Sequence, residues 1–421
     1  MSTVEPAPVG RAAYGWLLLV TLVLVGLAMA VVPWGLPVGP LSGSVDPSAG
    51  LDTEALKEIA DYRSRAVPLG LLAQAVSVLT ALLLALTSWG ARLVRSLPGQ
   101  RWWPVQLALA VVVLVIIGRL AVLPLTVPLE VARRKAGLST RSWPQWALDV
   151  AREMLVESVG TVVVVAVLVG LARWGRRGWW LLASTLAGLL VVAGSYLYPL
   201  LVEPIFNSFE PLDESPLRTS LLDLADRDGL AIHEVLRVDA SRRTTAVNAY
   251  VSGLGTTRRL VVYDTLLNQA TSSEVRLVVA HELGHAAEND VRNGTALGAL
   301  GAVSGVTVLV LVAGAGPVRR RAGVAGVHSV QAVPLLVGLA TVGMLVVLPV
   351  QNAMSRAIET RADIHALELT NDDVTFVAMQ QRFAVSNLTD PDPPRWLYAW
   401  FASHPSPAER VALAERWAMA R

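Results

Sequence analysis

The chain contains no cysteine in 421 residues. That excludes disulfides, zinc thiolates and a cysteine nucleophile, so any metal must be held by histidine and carboxylate. Charge is also scarce. Asp, Glu, Lys and Arg make up 16% of the chain, against about a quarter in soluble proteins. The net charge of +2 gives no electrostatic footprint for a nucleic-acid partner. Lysine occurs only at Lys57 and Lys135, and every other strong base is arginine. With abundant Ala, Val, Leu and Gly, that bias suggests a high-GC bacterial source.

What is present is apolar: 53% hydrophobic residues and a mean hydropathy of +0.52. A helix needs about 20 apolar residues to cross a bilayer. Seven segments qualify: Tyr14–Val32, Val67–Trp89, Pro104–Leu123, Leu155–Ala172, Trp179–Leu201, Gly294–Ala315 and Ala332–Val350. Trp16, Trp89, Trp102, Trp103, Trp174, Trp179 and Trp180 cluster at their ends, as interface anchors do. Pro33-Trp34-Gly35 follows the first segment without a small-residue cleavage site, so this segment reads as a retained helix. The chain is thus expected to be a multi-pass integral protein of a bacterial plasma membrane.

The loops divide by charge. The N-terminus and the loops with Arg92, Arg95 and Arg101, with Arg173, Arg176 and Arg177, and with Arg319, Arg320 and Arg321 are almost free of acids. Val38–Arg65 holds five acids against three bases, and Glu130–Glu153 is mixed. The positive-inside rule places the arginine loops in the cytoplasm and the segment after the fifth span outside.

The chain divides into four parts. Residues 1–202 form a membrane domain of five spans. Residues 203–293 are polar, 294–350 hold the last two spans, and 351–421 form C-terminal helices. In the polar part, Ser215-Pro216 starts a helix that Gly229 stops. Glu234–Val238, Ala246–Ser252 and Arg259–Tyr263 read as short strands. Val247-Asn248-Ala249-Tyr250 is the best candidate for an exposed edge able to pair with an extended peptide. An ordinary hairpin would have the same sequence.

His281-Glu282-Leu283-Gly284-His285 then forms an H-E-x-x-H pattern. Residues four apart on a helix share a face, so His281 and His285 can grip one Zn²⁺ per chain. Glu282, one step round, can take a proton from a water held there. Ser272 and Ser273 are placed to cap this helix, with Glu274 in its first turn. Two hydrogen-bonded core histidines are the bland alternative.

Catalytic zinc sites usually have three protein ligands. Candidates for the third are Glu288, Glu359, Glu368 and His404. Glu288 is three residues past His285 on the same helix and poorly placed. Glu359 lies on a helix after the seventh span, with Asp363 four residues on, spaced to accept a hydrogen bond from a ligand histidine. His404-Pro405-Ser406-Pro407 precedes a helix whose first turn carries Arg410. A cation is unfavourable there unless a group such as Glu359 or a substrate carboxylate holds it. His404 is a candidate donor to an oxyanion. His233, His328 and His365 show no partner pattern and read as structural or solvent-facing.

In their order these motifs resemble the type I CAAX prenyl protease family, membrane gluzincins. Tyr198–Leu200 through Pro204–Leu212, Asn248-Ala249-Tyr250, His281–His285, Glu359–Asp363 and His404-Pro405 with Arg410 carry the resemblance, which spans essentially the whole chain. It implies a mostly α membrane protein whose seven helices form a barrel around a chamber, closed by a small α/β zinc-metalloprotease domain. Gln74, Gln106 and Arg119 would then face the chamber, helix–helix hydrogen bonding being the alternative. The resemblance implies His281, His285 and Glu359 as ligands, Glu282 as base, Asp363 behind them, and His404 and Arg410 in support of the transition state. Asn248, Ala249 and Tyr250 would lie along a peptide or protein substrate, lipid-modified in that family. It also implies a cytosolic active site, opposite to the arginine loops' placement. Arg416–Arg421 lack a lysine-based retrieval signal, and a bacterial host would lack prenylated substrates. A general quality-control protease of membrane proteins shares the same chemistry. A seven-span receptor or transporter with structural zinc is the reading from another class.

Overall fold

The computed structural model describes residues 10–36, 46–175, 177–253 and 258–421. Arg176 of the second arginine loop and residues 38–45 of the acidic loop lie outside the described residues. Among the described residues, seven helices are long and apolar enough to cross a membrane: Ala12–Val31, Thr53–Leu86, Trp103–Lys135, Trp143–Trp174, Trp179–Phe206, Asp290–Gly314 and Val330–Thr370. They match the seven apolar segments, but most run well past them.

In chain order, α1 is Ala12–Val31, α2 Thr53–Leu86, α3 Ser88–Ser96, α4 Trp103–Lys135 and α5 Trp143–Trp174. Next come α6, Trp179–Leu197, a π turn at Tyr198–Val202 and a short α7, Glu203–Phe206. At 1.5 Å per residue, the 34 residues of α2 extend about 50 Å, against about 30 Å of bilayer core. The excess is charged, so hydropathy alone cannot see it. Contacts with the rest of the protein keep it helical: Arg63 near the start of α2 pairs with Asp390 at 3.3 Å.

Small residues set the helix spacing. A Cβ on Gly188 of α6 would stand 2.8 Å from Val303, and one on Gly338 would stand 2.5 Å from the Ala85 Cβ. Close approach of this kind is how membrane helices pack without a hydrophobic drive between them. Trp179 and Trp180 are buried in this bundle rather than anchoring at a lipid interface, whereas Trp89, Trp102 and Trp174 are exposed.

Two adjoining cavities of about 440 and 380 Å³ lie inside the bundle, both bordered by Glu157, Thr161, Val337 and Thr341. Gln74 and Arg119 line the first, and Arg119 pairs with Glu153 at 3.2 Å. Gln106 does not face it. It is buried and donates to the Val94 carbonyl at 3.0 Å, which is the helix–helix alternative.

The soluble part opens with β1, Phe209–Pro211, then α8, Pro216–Arg227, capped by the Ser215 side chain. Strands β2 (Val235–Val238), β3 (Ala249–Ser252) and β4 (Arg259–Tyr263) follow. The sheet order is β1-β2-β4-β3, so β3 is an edge. It pairs antiparallel to β4, with Tyr250 opposite Val261. Ala249 and Val251 pack toward the next long helix with Leu260 and Val262. Tyr250 and Tyr263 cover the other face, over Val238 and Val261.

Helix α9 is Asp264–Gln269, and α10, Ser272–Ala287, carries the two motif histidines. Its cap is Thr271, not Ser272 or Ser273. Thr271 and Glu274 form a reciprocal capping box, which uses Glu274 as a hydrogen-bond partner as well as a charge. Then come α11 (Asp290–Gly314), α12 (Gly316–Ala322), α13 (Val333–Thr370), α14 (Asp373–Ser386), α15 (Arg395–Phe401) and α16 (Pro407–Met419). Helix α13 crosses the membrane and continues into the soluble part as one 38-residue element.

The α4–α5 loop and the soluble part meet at one end of the bundle, where Ser139 bridges Thr244. Near that loop the buried acids Glu130 and Asp149 bind Arg134, Arg141 and Arg152. At the other end of the bundle, Arg92 and Arg95 lie within α3, Arg173 in the last turn of α5, and Arg319, Arg320 and Arg321 within α12, where Arg95 reaches the Gly323 carbonyl.

Candidate active site

Helices α10 and α13 pack side by side, and Gly284 makes that possible. A Cβ there would lie 3.0 Å from the Cβ of His365. His365 is itself held by Asp228 at 3.0 Å. Close packing brings the α10 histidines against Glu359 on α13. His281 Nε2 stands 3.1 Å from Glu359 Oε2, His285 Nε2 stands 3.6 Å from Glu359 Oε1, and the two Nε2 atoms are 3.2 Å apart.

These separations bear directly on metal binding. Tetrahedral zinc with bonds of 2.0–2.1 Å places its ligand atoms about 3.3 Å apart. One atom from each of His281, His285 and Glu359 falls within 4.8 Å of the others. The other ring nitrogens are taken: His281 Nδ1 lies 2.9 Å from Asp363 Oδ1, and His285 Nδ1 lies 2.9 Å from Asp290 Oδ2. A carboxylate at Nδ1 fixes the proton there and leaves a lone pair on Nε2. With both imidazoles in that neutral form, two Nε2 lone pairs and a carboxylate converge on one point, a donor set suited to a divalent cation.

Both supporting carboxylates are themselves held. Arg410 donates to Asp363 through Nε at 2.8 Å and through Nη2. Arg361 donates to Asp290. Arg410 was open to Glu359 or a substrate carboxylate as its partner; the carboxylate it binds is Asp363. Two relays thus run in parallel, His281–Asp363–Arg410 and His285–Asp290–Arg361. The second was not anticipated from sequence, because an aspartate five residues past a motif histidine lies beyond the α10 helix. It reaches back only because Asn289 adopts a left-handed conformation (φ 57°) between α10 and α11.

Among the other candidates, Glu288 is half-exposed and pairs with Arg361 at 3.3 Å. Glu368 is exposed further along α13. Neither joins the cluster. His404 lies on the loop before α16, with Nε2 3.4 Å from Glu359 Oε2 and Nδ1 2.9 Å from the Ser403 hydroxyl.

Electrostatics follow from this packing. Burial alone would lower the His281 imidazole, but its hydrogen bonds to the Asp363 and Glu359 carboxylates, which accept from it, lift it to about 10 in the metal-free site. Burial pushes the Glu282 carboxyl above its usual range, the nearby histidines offsetting this only in part. His404, though its side chain is largely exposed, is also held below the ordinary imidazole value by partial desolvation at the mouth of the site, with the Arg410 charge adding to it.

The edge strand offers backbone rather than side chains. Tyr250 turns its ring away from α10, and its hydroxyl donates to Glu203 at 3.3 Å. The Asn248 carbonyl accepts from the Tyr263 amide. By the two-residue alternation of an antiparallel pair, Ala249 and Val251 point their backbone groups outward. Asn248 Oδ1 accepts from the Ala249 amide at 2.9 Å.

Two family models match consecutive stretches of the chain: "CAAX prenyl protease N-terminal, five membrane helices" over residues 47–208, and "Peptidase family M48" over residues 211–418. The chain belongs to peptidase family M48. It is of the CAAX prenyl protease type, a family of membrane metalloproteases, as the motifs suggested. "Uncharacterized metalloprotease YhfN" of Bacillus subtilis is 32% identical over 281 residues, 66% of each chain. "CAAX prenyl protease 1" of Saccharomyces cerevisiae is 30% identical over 165 residues, 39% of this chain and 36% of that one. The rice "CAAX prenyl protease 1 homolog" is 31% identical over 234 residues, 52% of each. The chain therefore spans about two thirds of the Bacillus relative and a third to a half of these eukaryotic ones. A crystal structure of S. mikatae Ste24p superposes with a TM-score of 0.78, covering 96% of this chain and 97% of that one at 18% identity. At that identity it speaks for the fold alone.

Proposed function

We propose that this protein is an integral-membrane zinc metalloendopeptidase. His281, His285 and Glu359 would hold the ion. Bound zinc supplies Lewis-acid polarisation of the scissile carbonyl and a water acidic enough to attack near neutral pH. Glu282 takes the proton of that water and delivers it to the leaving amine. A carboxyl raised by burial suits both halves of that task, since it holds a proton long enough to return it.

His404 serves the developing oxyanion. The Ser403 hydroxyl can donate to His404 Nδ1, which leaves the proton on Nε2, the atom nearer Glu359. Arg410 keeps Asp363 ionised, and Asp363 orients His281. The substrate is a peptide or protein chain laid in extended form along β3, beside Asn248, Ala249 and Tyr250. A lipid carried by such a substrate would find apolar walls in the bundle cavities. A bacterial plasma membrane is the setting that the composition favours.

One observation carries the reading: two imidazole Nε2 atoms and one carboxylate converge, with the Glu282 carboxyl beside them raised by burial. The test is Glu282→Gln in purified protein, assayed on an unstructured peptide with metal content measured in parallel. Metal should be retained and cleavage lost. Cleavage at the unaltered rate would refute the assignment.

A further inference from the structure

Helix α13 presents one polar stripe. Asn352, Arg356, Glu359 and Asp363 follow at intervals of four, three and four residues, which places them on one helix face. The second pair belongs to the metal site. The first pair is also buried, and its hydrogen bonds run away from the motif histidines and Glu359. It points instead at the C-terminal end of α15.

A helix end leaves carbonyl groups without partners. Here two buried side chains supply them. Asn352 Nδ2 donates to the Trp400 carbonyl at 2.6 Å. Arg356 Nη1 donates to the Tyr398 carbonyl at 3.2 Å and to the Ala402 carbonyl at 2.6 Å. The Arg356 guanidinium also lies over the Tyr398 ring, 4.3 Å from its centroid. A cation at that end complements the helix dipole. Ala402 is two residues before His404. On the far side of His404, Ser406 caps α16 with Glu409 in a capping box, and the Tyr398 hydroxyl donates to the same Glu409. His404 itself is 61% exposed, so the ring is not held by packing. Its backbone is.

We infer that Arg356, seconded by Asn352, is a positioning residue that fixes the 402–406 strap and so sets His404 at the oxyanion position. Its guanidinium acts through the Ala402 carbonyl and touches no reacting atom. The inference rests on the hydrolase reading only for the role of His404; the clamp on the strap stands apart from it.

The test takes the full-length, metal-loaded protein and the variants Arg356→Met, Arg356→Lys, Asn352→Leu and His404→Ala. Amide hydrogen exchange over residues 398–406 is the activity-free readout. Arg356→Met should speed exchange there at least tenfold, with α10 and the Glu359–Asp363 turn unchanged and metal content intact. In peptide cleavage, kcat should fall between tenfold and a hundredfold with KM within twofold, a part of what losing an oxyanion donor costs. Arg356→Lys, which can still reach one carbonyl, should recover part of both. In a His404→Ala background, Arg356→Met should lower kcat by no more than a further twofold. Additive losses, or exchange unchanged in the strap, overturn the inference. If Arg356→Met does not fold, Asn352→Leu decides in the same way, with a smaller effect in the same direction. A wild-type protein that binds metal and cleaves no peptide would end the hydrolase reading, while the exchange result would still judge the clamp.

Discussion

Asp290 Oδ2 stands 2.9 Å from His285 Nδ1, so the first residue of the sixth membrane-crossing helix holds one of the two motif imidazoles. The other imidazole has the same arrangement with Asp363. Each relay ends on an arginine from a helix other than that of its histidine. The candidate metal site is therefore tied to α10, α11, α13 and α16 at once, and its geometry depends on how the membrane and soluble parts meet.

Asp290→Asn should weaken metal binding without unfolding the protein. The amide can still accept from Nδ1–H, but it no longer makes the imidazole more basic, and outer-shell losses of this kind cost roughly 10–100-fold in metal affinity. Asp290→Ala should fall at the severe end, because His285 then loses its hydrogen-bond acceptor and Arg361 one of its two carboxylate partners. Competition against a fluorescent zinc chelator measures both. An Asp290→Asn protein that binds zinc as tightly as the wild type would remove Asp290 from the site.

Metal affinity should rise with pH. In the metal-free site, His281 is lifted to about 10, so at neutral pH its imidazole is protonated and cannot ligate. Binding must expel that proton, and affinity should climb by up to tenfold per pH unit while the pH stays below that value. The sign for the stability of the metal-free protein is opposite. The protonated His281 between its carboxylates stabilises the fold fully below the unfolded value near 6.5, and that contribution fades as pH rises toward 10. Calorimetric zinc titration in buffers of different ionisation enthalpy should therefore show about one proton released near pH 7. No proton release would mean that His281 is already neutral.

Gly284 should tolerate no side chain. In Gly284→Ala the new Cβ would meet His365 at 3.0 to 3.2 Å, forcing α10 away from α13 and the two histidines away from Glu359. Zinc occupancy and thermal stability should both drop, with a cost of about 1–3 kcal/mol, as for other overpacked sites. Trimming the neighbour, as Gly284→Ala with His365→Ala, should restore zinc occupancy. If the double variant binds no better than the single one, the contact with His365 is not what limits the approach.

The outline of the fold is legible in the residues because its causes are local. Twenty apolar residues in a row mean a span, and a Ser-Pro before an amphipathic run means a helix start. The H-E-x-x-H face is likewise a matter of helical spacing. What escapes is whatever depends on where two distant segments meet. Asp290 looks like an ordinary first-turn acid of the sixth span until the left-handed Asn289 folds it back onto His285. Trp179 and Trp180 resemble interface anchors, yet bundle packing draws them inside. Arg356 reads as one more charge beside a ligand motif, and only α15 docking on α13 reveals the carbonyls it serves. Strand β1 has three residues, too few for any alternation to show.

Substrate pairing along β3 should show itself in the substrate rather than in the strand's side chains. Tyr250 turns its ring from α10 toward Glu203, so Tyr250→Phe should leave cleavage within about twofold of wild type. The outward backbone groups of Ala249 and Val251 recur every second residue, and an extended peptide laid on that edge must offer its own groups at the same period. N-methylating the amides of a cleaved peptide one at a time should therefore slow cleavage strongly at alternate positions and little between them. The loss should fall mainly on KM, because the missing hydrogen bonds serve substrate and transition state alike. A uniform response along the peptide, or a large effect of Tyr250→Phe with none from N-methylation, would mean that the chain is held by its side chains and that β3 is only part of the scaffold.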